Sequence, residues 1–267
     1  MLDEMNKERY VTVAPTDLKK AIGCTRFATD SKDSKKMFLT GIHAFIEGMM
    51  LKLVATDNHR LSVYSIPVIE KNDDVDIIIP AYCADMIKEM LDETKPSFNL
   101  YFSKGSVYIK SGNAEYNGRL IDDKYPDVNR VIPEDCKTVI TVNRAALFSA
   151  LAKMEVASKN NSYICYLKTE DGELVLFSQS FDGSMKASEY VPAEMEGGPV
   201  ELGINVRYAK EALSVMDAEN VEIKINSETR PFVVKECKNE NFIHILMPLA
   251  LTSKDKQGID NDKQGVE

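Results

Sequence analysis

Apolar residues recur along this chain in two rhythms. Short stretches with an apolar residue at every second position predict strands. Four of these stretches run directly into segments whose apolar residues lie three and four apart, the spacing of one helix face. The four junctions read YVTVAPTDLKK, DIIIPAYCADM, TVITVNRAALF and VELGINVRYAK, and they predict helices beginning near Thr16, Pro80, Asn143 and Asn205. Asn143 and Asn205 suit an N-cap, because the side-chain oxygen can accept from the free N–H groups of the first turn. Pro80 carries a helical φ already. The predicted buried stripes are Leu18, Ile22, Thr25 and Thr29 in the first helix and Cys83, Ile87, Met90 and Leu91 in the second. In the third they are Leu147, Leu151 and Met154, and in the fourth Val206, Ala209, Leu213 and Met216.

After each helix come about three strands separated by turn residues, as at Lys104-Gly105 and Gly112-Asn113, where glycine supplies the backbone freedom a hairpin needs. The unit is therefore β-α-β-β-β, repeating with a period of about sixty residues. Four units give an α+β protein of two similar domains, with helices on one side and antiparallel sheets on the other. The domains are expected at 1–121 and 138–251, joined by a linker at 122–137 whose Pro126 and Pro133 suit an extended chain, with a disordered tail at 252–267.

Composition narrows the function classes. Of 267 residues, 44% are hydrophobic and 28% charged, which excludes a wholly disordered or fibrous chain. No run approaches the roughly 18 apolar residues of a spanning helix, and the first ten residues lack a signal-peptide order, so a cytoplasmic protein with no membrane contact is expected. Five cysteines (Cys24, Cys83, Cys136, Cys165, Cys237) form no C-x-x-C pair and read as reduced. Cys24, Cys83, Cys165 and Cys237 fall in predicted helices or strands. With three histidines (His43, His59, His244), no Walker loop and no dinucleotide fingerprint, no metal and no cofactor is expected. Asp57 and His59 are spaced to orient one another for general-base work, but no nucleophile elbow or matched second carboxylate accompanies them, so an enzyme is not expected. A net charge of −9 excludes a general nucleic-acid coat; any contact with DNA is local.

Four strings in order, ATDNHRLSVY at 55–64, GRLIDDKYPDVNRVIP at 118–133, INVRYAKEAL at 204–213 and ILMPLAL at 245–251, resemble the bacterial DNA polymerase III beta subunit, the sliding clamp. The resemblance runs from about Lys7 to Leu251 and matches the second and third of that family's three domains. It implies the DNA-clamp fold and a non-catalytic processivity factor. Its implied partners are double-stranded DNA, held without regard to sequence, and polymerase, clamp-loader and repair proteins, held by short linear peptides. A two-domain chain can close a ring as three copies; the alternatives are a monomer, or a peptide-binding adaptor that does not encircle DNA.

The resemblance carries the deeper peptide pocket to Leu39, Thr56, Asn58, His59, Arg60, Leu61, Pro126, Arg130, Val131, Ile245 and Met247. The shallow part falls to Asn205, Tyr208, Thr229, Pro248 and Leu249. Leu39, Leu61, Val131, Ile245 and Met247 would supply apolar surface, while Arg60 and Arg130 lay their alkyl stems over it and keep their charges in water. Asn58 stands where the family commonly has glycine, which asparagine tolerates because it accepts φ > 0. Ala250 replaces a usual arginine. An apolar pair that helps close the family's ring appears as Val156 and Ala157, after the third helix.

A sliding protein needs a basic lining on an acidic body, because attraction to phosphate is independent of sequence. Windows 16–36, 81–93, 143–161 and 205–217 carry +3, −3, +2 and 0, together +2 in a chain of −9. The candidate DNA-facing cations are Lys20, Arg26, Lys35, Lys36, Arg144, Lys153, Lys159, Arg207 and Lys210.

Overall fold

The computed structural model describes residues 9–31, 35–133 and 135–250; the tail expected at 252–267 lies outside them. The chain divides into two compact units, 1–127 and 128–267.

In the first unit the order is β1 (Arg9–Val13), α1 (Pro15–Arg26), β2 (Gly41–Glu47), β3 (Met50–Thr56), β4 (Arg60–Lys71), β5 (Asp76–Pro80), α2 (Ala81–Met90), β6 (Phe98–Ser103), β7 (Ser106–Ser111) and β8 (Ala114–Arg119). The second unit repeats it: β9 (Thr138–Asn143), α3 (Arg144–Ser158), β10 (Ile164–Glu170), β11 (Glu173–Gln179), β12 (Lys186–Gly197), β13 (Glu201–Asn205), α4 (Val206–Ser214), β14 (Asn220–Ile225), β15 (Phe232–Glu236) and β16 (Phe242–Leu246). Each β-α-β-β-β motif occurs twice per unit. The strand order is β5-β2-β3-β4-β1-β6-β7-β8 in the first unit and β13-β10-β11-β12-β9-β14-β15-β16 in the second, antiparallel throughout.

The long strands β4 and β12 hold each unit together by changing partners. Residues 61–67 of β4 pair with β3, and the rest pair with β1 across a register shift at Thr12/Val13. Residues 186–192 of β12 pair with β11, and 193–197 pair with β9. Pro67 and Pro192 sit at these changeovers, where the missing N–H removes one ladder bond and lets the strand leave its first neighbour.

The helices start in two ways. Asn143 accepts from the Ala146 amide at 3.0 Å, and Asn205 accepts from the Arg207 and Tyr208 amides at 3.0 and 3.3 Å. The other two helices use proline: Pro15 is the first residue of α1, one before the expected start, and Pro80 is the cap of α2, with φ −53° but an extended ψ of 144°. The stripes are buried as predicted at Leu18, Ile22, Thr25, Cys83, Ile87, Leu147, Leu151, Met154, Val206, Ala209 and Leu213. Thr29 is only half-buried, because α1 ends at Arg26 and Thr29 turns back to donate to the Arg26 carbonyl. Leu91 and Met216 are buried but lie just past their helices, and Met90 is half-buried.

Glycines mark the predicted hairpins: Gly105 and Gly112 adopt φ of 96° and 58°. Cys24, Cys83 and Cys165 are buried on α1, α2 and β10, whereas Cys237 lies one residue beyond β15. Among the described residues no helix is long and apolar enough to cross a membrane, and no group of His, Cys, Asp and Glu is arranged to hold a metal.

Candidate peptide- and DNA-contact surfaces

The β3–β4 turn is built by one carboxylate. Asp57 Oδ1 accepts from the His59 and Arg60 amides at 2.9 and 3.0 Å, and Oδ2 accepts from Arg60 Nε at 2.9 Å. The Thr56 hydroxyl closes the other side, donating to the Arg60 carbonyl at 2.6 Å and accepting from the Asn58 amide at 3.1 Å. Asn58 takes φ 73°, the left-handed conformation that asparagine accommodates better than most side chains. Asn58 and His59 are exposed at the tip.

Arg60 corrects the sequence reading. Its side chain is 8% exposed, its Nη2 donates to the Phe27 carbonyl at 2.8 Å, and its guanidinium lies 5.3 Å from the centroid of the Phe27 ring. The charge is sequestered, not held in water. It neutralises a 10%-exposed Asp57 and ties the turn to the end of α1. The Asp57 carboxylate is engaged by Arg60 and two backbone amides.

Three expected wall residues belong to the core: Leu39, Leu61 and Ile245 are 1–3% exposed. They therefore offer almost no surface of their own to a ligand. The apolar surface that remains accessible comes from Val131 and Met247, 41% and 38% exposed, with Pro126 also exposed. Within the first unit, Ile121 donates its N–H to the Ile78 carbonyl at 3.0 Å and Tyr125 is buried; in the second, Asn129–Val131 forms a 3-10 turn that presents Arg130 outward.

In the second unit, the Leu249 amide donates to the Gly203 carbonyl at 2.8 Å, pinning the Met247-Pro248-Leu249 segment beside the start of α4. Pro248, Leu249 and Tyr208 are half-buried and Thr229 is exposed. The Asn205 oxygen is committed to capping α4, so only its amide N–H groups remain for a ligand.

Several helix cations have identified partners within the chain. Arg144 is not positioned as a DNA contact: it donates from Nε to the Ala218 carbonyl at 2.9 Å and from Nη1 to the Leu213 carbonyl at 3.3 Å, satisfying backbone at the end of α4. Arg26 binds Asp85 at 2.9 Å and the Ala81 carbonyl at 3.2 Å, linking α1 to α2. Lys153 pairs with Glu189 at 2.6 Å. Lys210 pairs with Glu155 at 2.5 Å, and Arg207 approaches the same carboxylate at 3.9 Å while stacking over Tyr163. Lys35, Lys36 and Lys159 are exposed, and Lys20 is half-buried. Val156 and Ala157 lie on α3, not after it. Val156 is 66% exposed and Ala157 is buried, so one aliphatic side chain is offered there where two were expected.

One feature of the second unit had no motif to announce it: a cavity of about 210 Å³ lined by Pro133, Cys136, Lys224, Lys235 and Glu240 among others. Its walls come from three separated segments, so no local spacing marks it.

Two units of identical strand order, each holding two β-α-β-β-β motifs, define the DNA-clamp fold. The family of the DNA polymerase III beta subunit, central domain, matches residues 12–127, and that of its C-terminal domain matches residues 129–250. The chain belongs to the DNA polymerase III beta-subunit family. The beta sliding clamps of Staphylococcus aureus and Staphylococcus epidermidis are each 23% identical over 250 residues. These matches cover 93% of this chain and 66% of those relatives, so the chain spans just under two thirds of their length. Among solved structures, a DNA polymerase sliding clamp from Pseudomonas aeruginosa superposes with TM-score 0.86 at 25% identity, covering 91% of this chain and 66% of that one. The sliding clamp from the same organism bound to griselimycin gives 0.87 at 25% identity, covering 94% and 68%.

Proposed function

We propose that this chain acts as a processivity factor of the sliding-clamp kind. It lies along or around duplex DNA without reading sequence, and it holds short peptides of polymerase, clamp-loader and repair proteins. It carries out no chemistry itself. The observation that carries this reading is the end-to-end match of both domain families over residues 12–127 and 129–250.

We assign the peptide contacts to two sets of the residues named above. One is the β3–β4 turn with Thr56, Asn58, His59 and Pro126, floored by Leu39 and Leu61; the other holds Arg130, Val131, Met247, Pro248 and Leu249 with Tyr208 and Thr229, floored by Ile245. An apolar floor with an exposed methionine suits varied apolar anchors, because an unbranched thioether adapts its shape. The exposed Arg130 favours peptides of neutral or mildly acidic character. Duplex contact is assigned to Lys20, Lys35, Lys36 and Lys159, with Arg207 and Lys210 able to contribute if they exchange Glu155 for phosphate. The working form is a ring of three copies.

The test is retention on DNA after loading. The clamp reading predicts that the chain stays on nicked circular plasmid and runs off the linearised plasmid, with a solution mass three times the 29.9 kDa of one chain. A second reading, a peptide-binding adaptor that does not encircle DNA, is favoured by one observation: Arg26, Arg144, Lys153 and Lys210 are already held by carboxylates or carbonyls. It predicts equal loss from both plasmids and a mass of one chain.

A further inference from the structure

In the first unit four aromatic side chains from three segments form one stack. His43 on β2 lies between Phe45, at 4.7 Å and 26°, and Tyr125, at 4.5 Å and 19°. Tyr125 in turn receives Phe38 edge-on at 5.7 Å and 75°. His43 is fixed on one side only: Nε2 meets Asp76 Oδ1 at 2.7 Å, while Nδ1 is buried without a hydrogen-bond partner. The Tyr125 hydroxyl is likewise buried without a hydrogen-bonded partner. Burial pushes its ionisation well above the usual tyrosine range.

Two buried polar atoms left unpaired each carry a desolvation cost. Hydrogen bonding anchors the stack only through the His43–Asp76 contact; the rest is held by ring packing. What the stack touches gives it a purpose. Phe38 immediately precedes Leu39, Tyr125 immediately precedes Pro126, and the Tyr125 hydroxyl lies against the backbone of Thr56. Three residues assigned to the peptide patch are thus one covalent or van der Waals step from one stack. The approach of the 121–125 segment to β2 is further secured by Gly41, where a Cβ would stand 2.9 Å from Ile121 Cδ1 and 2.7 Å from the Ile79 carbonyl.

We propose that His43 and Tyr125 are positioning residues for the peptide patch: their stack fixes where Pro126 stands relative to Leu39 and Thr56, and so sets the affinity for peptide. This rests on the peptide-binding reading above, but it makes a claim about the 121–126 segment that can be tested without any peptide. The Lys124–Tyr125 bond is a trypsin site on an exposed lysine, held against β2 by the stack.

The experiment uses the full chain and its variants His43→Ala, His43→Phe, Tyr125→Ala and Tyr125→Phe. It measures the rate of tryptic cleavage after Lys124 and the binding of a short fluorescein-labelled peptide from the C-terminus of the replicative DNA polymerase of the same organism. His43→Ala and Tyr125→Ala are expected to speed that cleavage and to weaken the peptide about tenfold or more. The two phenylalanine variants keep a ring in the stack and remove an unpaired polar group, so they are expected to match the wild type in both assays. If Tyr125→Ala fails to fold, His43→Ala carries the test, since it deletes one ring and leaves the segment's own sequence intact. Faster cleavage with unchanged affinity overturns the positioning role, as does unchanged cleavage in His43→Ala. Loss of affinity in His43→Phe equal to that in His43→Ala also overturns it, because it assigns the effect to the imidazole–Asp76 bond. Failure of the wild type itself to bind peptide sinks the peptide-binding reading and, with it, this role, while the cleavage rates alone still report whether the stack holds the segment.

Discussion

The turn between β3 and β4 and the turn between β11 and β12 occupy the same place in the repeated motif, and each is organised by an aspartate. In the second, Asp182 Oδ1 accepts from the Ser180 hydroxyl at 2.6 Å and from the Ser184 hydroxyl and amide at 2.8 and 3.1 Å, which holds its carboxyl at about 2, below the ordinary 3.8. That turn stands in water and thrusts Phe181 out at 86% exposure. In the first, Asp57 does the same for two amides but also takes a buried arginine that reaches the end of α1. One turn is a local device; the other fastens a helix to a sheet. Equivalent positions in a repeat can keep their turn chemistry while differing in what that chemistry holds.

The comparison breaks most directly at Arg60. Arg60→Ala leaves Asp57 nearly buried with no counter-charge and is expected to cost ~3–5 kcal/mol, the range for breaking a buried pair. Urea unfolding should show it, whereas Asp182→Asn, on a turn standing in water, should move the midpoint at neutral pH far less. A loss in Arg60→Ala no larger than for an exposed pair would mean that the turn is not a fastening at all. Met247→Ala sharpens the contrast between floor and surface: peptide affinity should fall about tenfold while stability stays within ~0.5 kcal/mol, as for other partly exposed sites.

Smaller effects are expected at the helix starts. Asn143→Ala and Asn205→Ala should each cost ~1 kcal/mol in denaturant titrations, the usual value of a lost side-chain cap. The smallest effect is on pH. Because the folded value of Asp182 is depressed, its contribution is complete above the unfolded value near 4 and is lost as pH falls towards 2. The protection of the Ser184 amide, taken relative to its intrinsic exchange rate at each pH, should fall over that acid window, and Asp182→Asn should abolish this change in protection.

Features that depend on neighbours in sequence were legible. The hairpins at Gly105 and Gly112 and the caps at Asn143 and Asn205 follow from residue type and spacing within a few positions, while the positive φ of Asn58 was legible through the family's glycine at that place. Features set by distant segments were not. The partner that removes Arg60 from water is a carbonyl 33 residues earlier, and the groups that hold Arg144 lie 69 and 74 residues away. A cation in a favourable string looks alike whether it faces water or a helix end. The same reason hid the His43–Tyr125 stack, whose members are separated by 82 positions and belong to no shared motif. Leu39, Leu61 and Ile245 were correctly recognised as apolar, but periodicity does not distinguish core from the floor of a groove.

Peptide binding is the property on which the account turns, and fluorescence anisotropy of a labelled polymerase-tail peptide with the intact chain measures it directly. Saturable binding that weakens in Met247→Ala and in Arg130→Ala, with both variants folded as the wild type is, is the predicted result. Absence of saturable binding by the wild type, or binding that neither substitution changes, would contradict it.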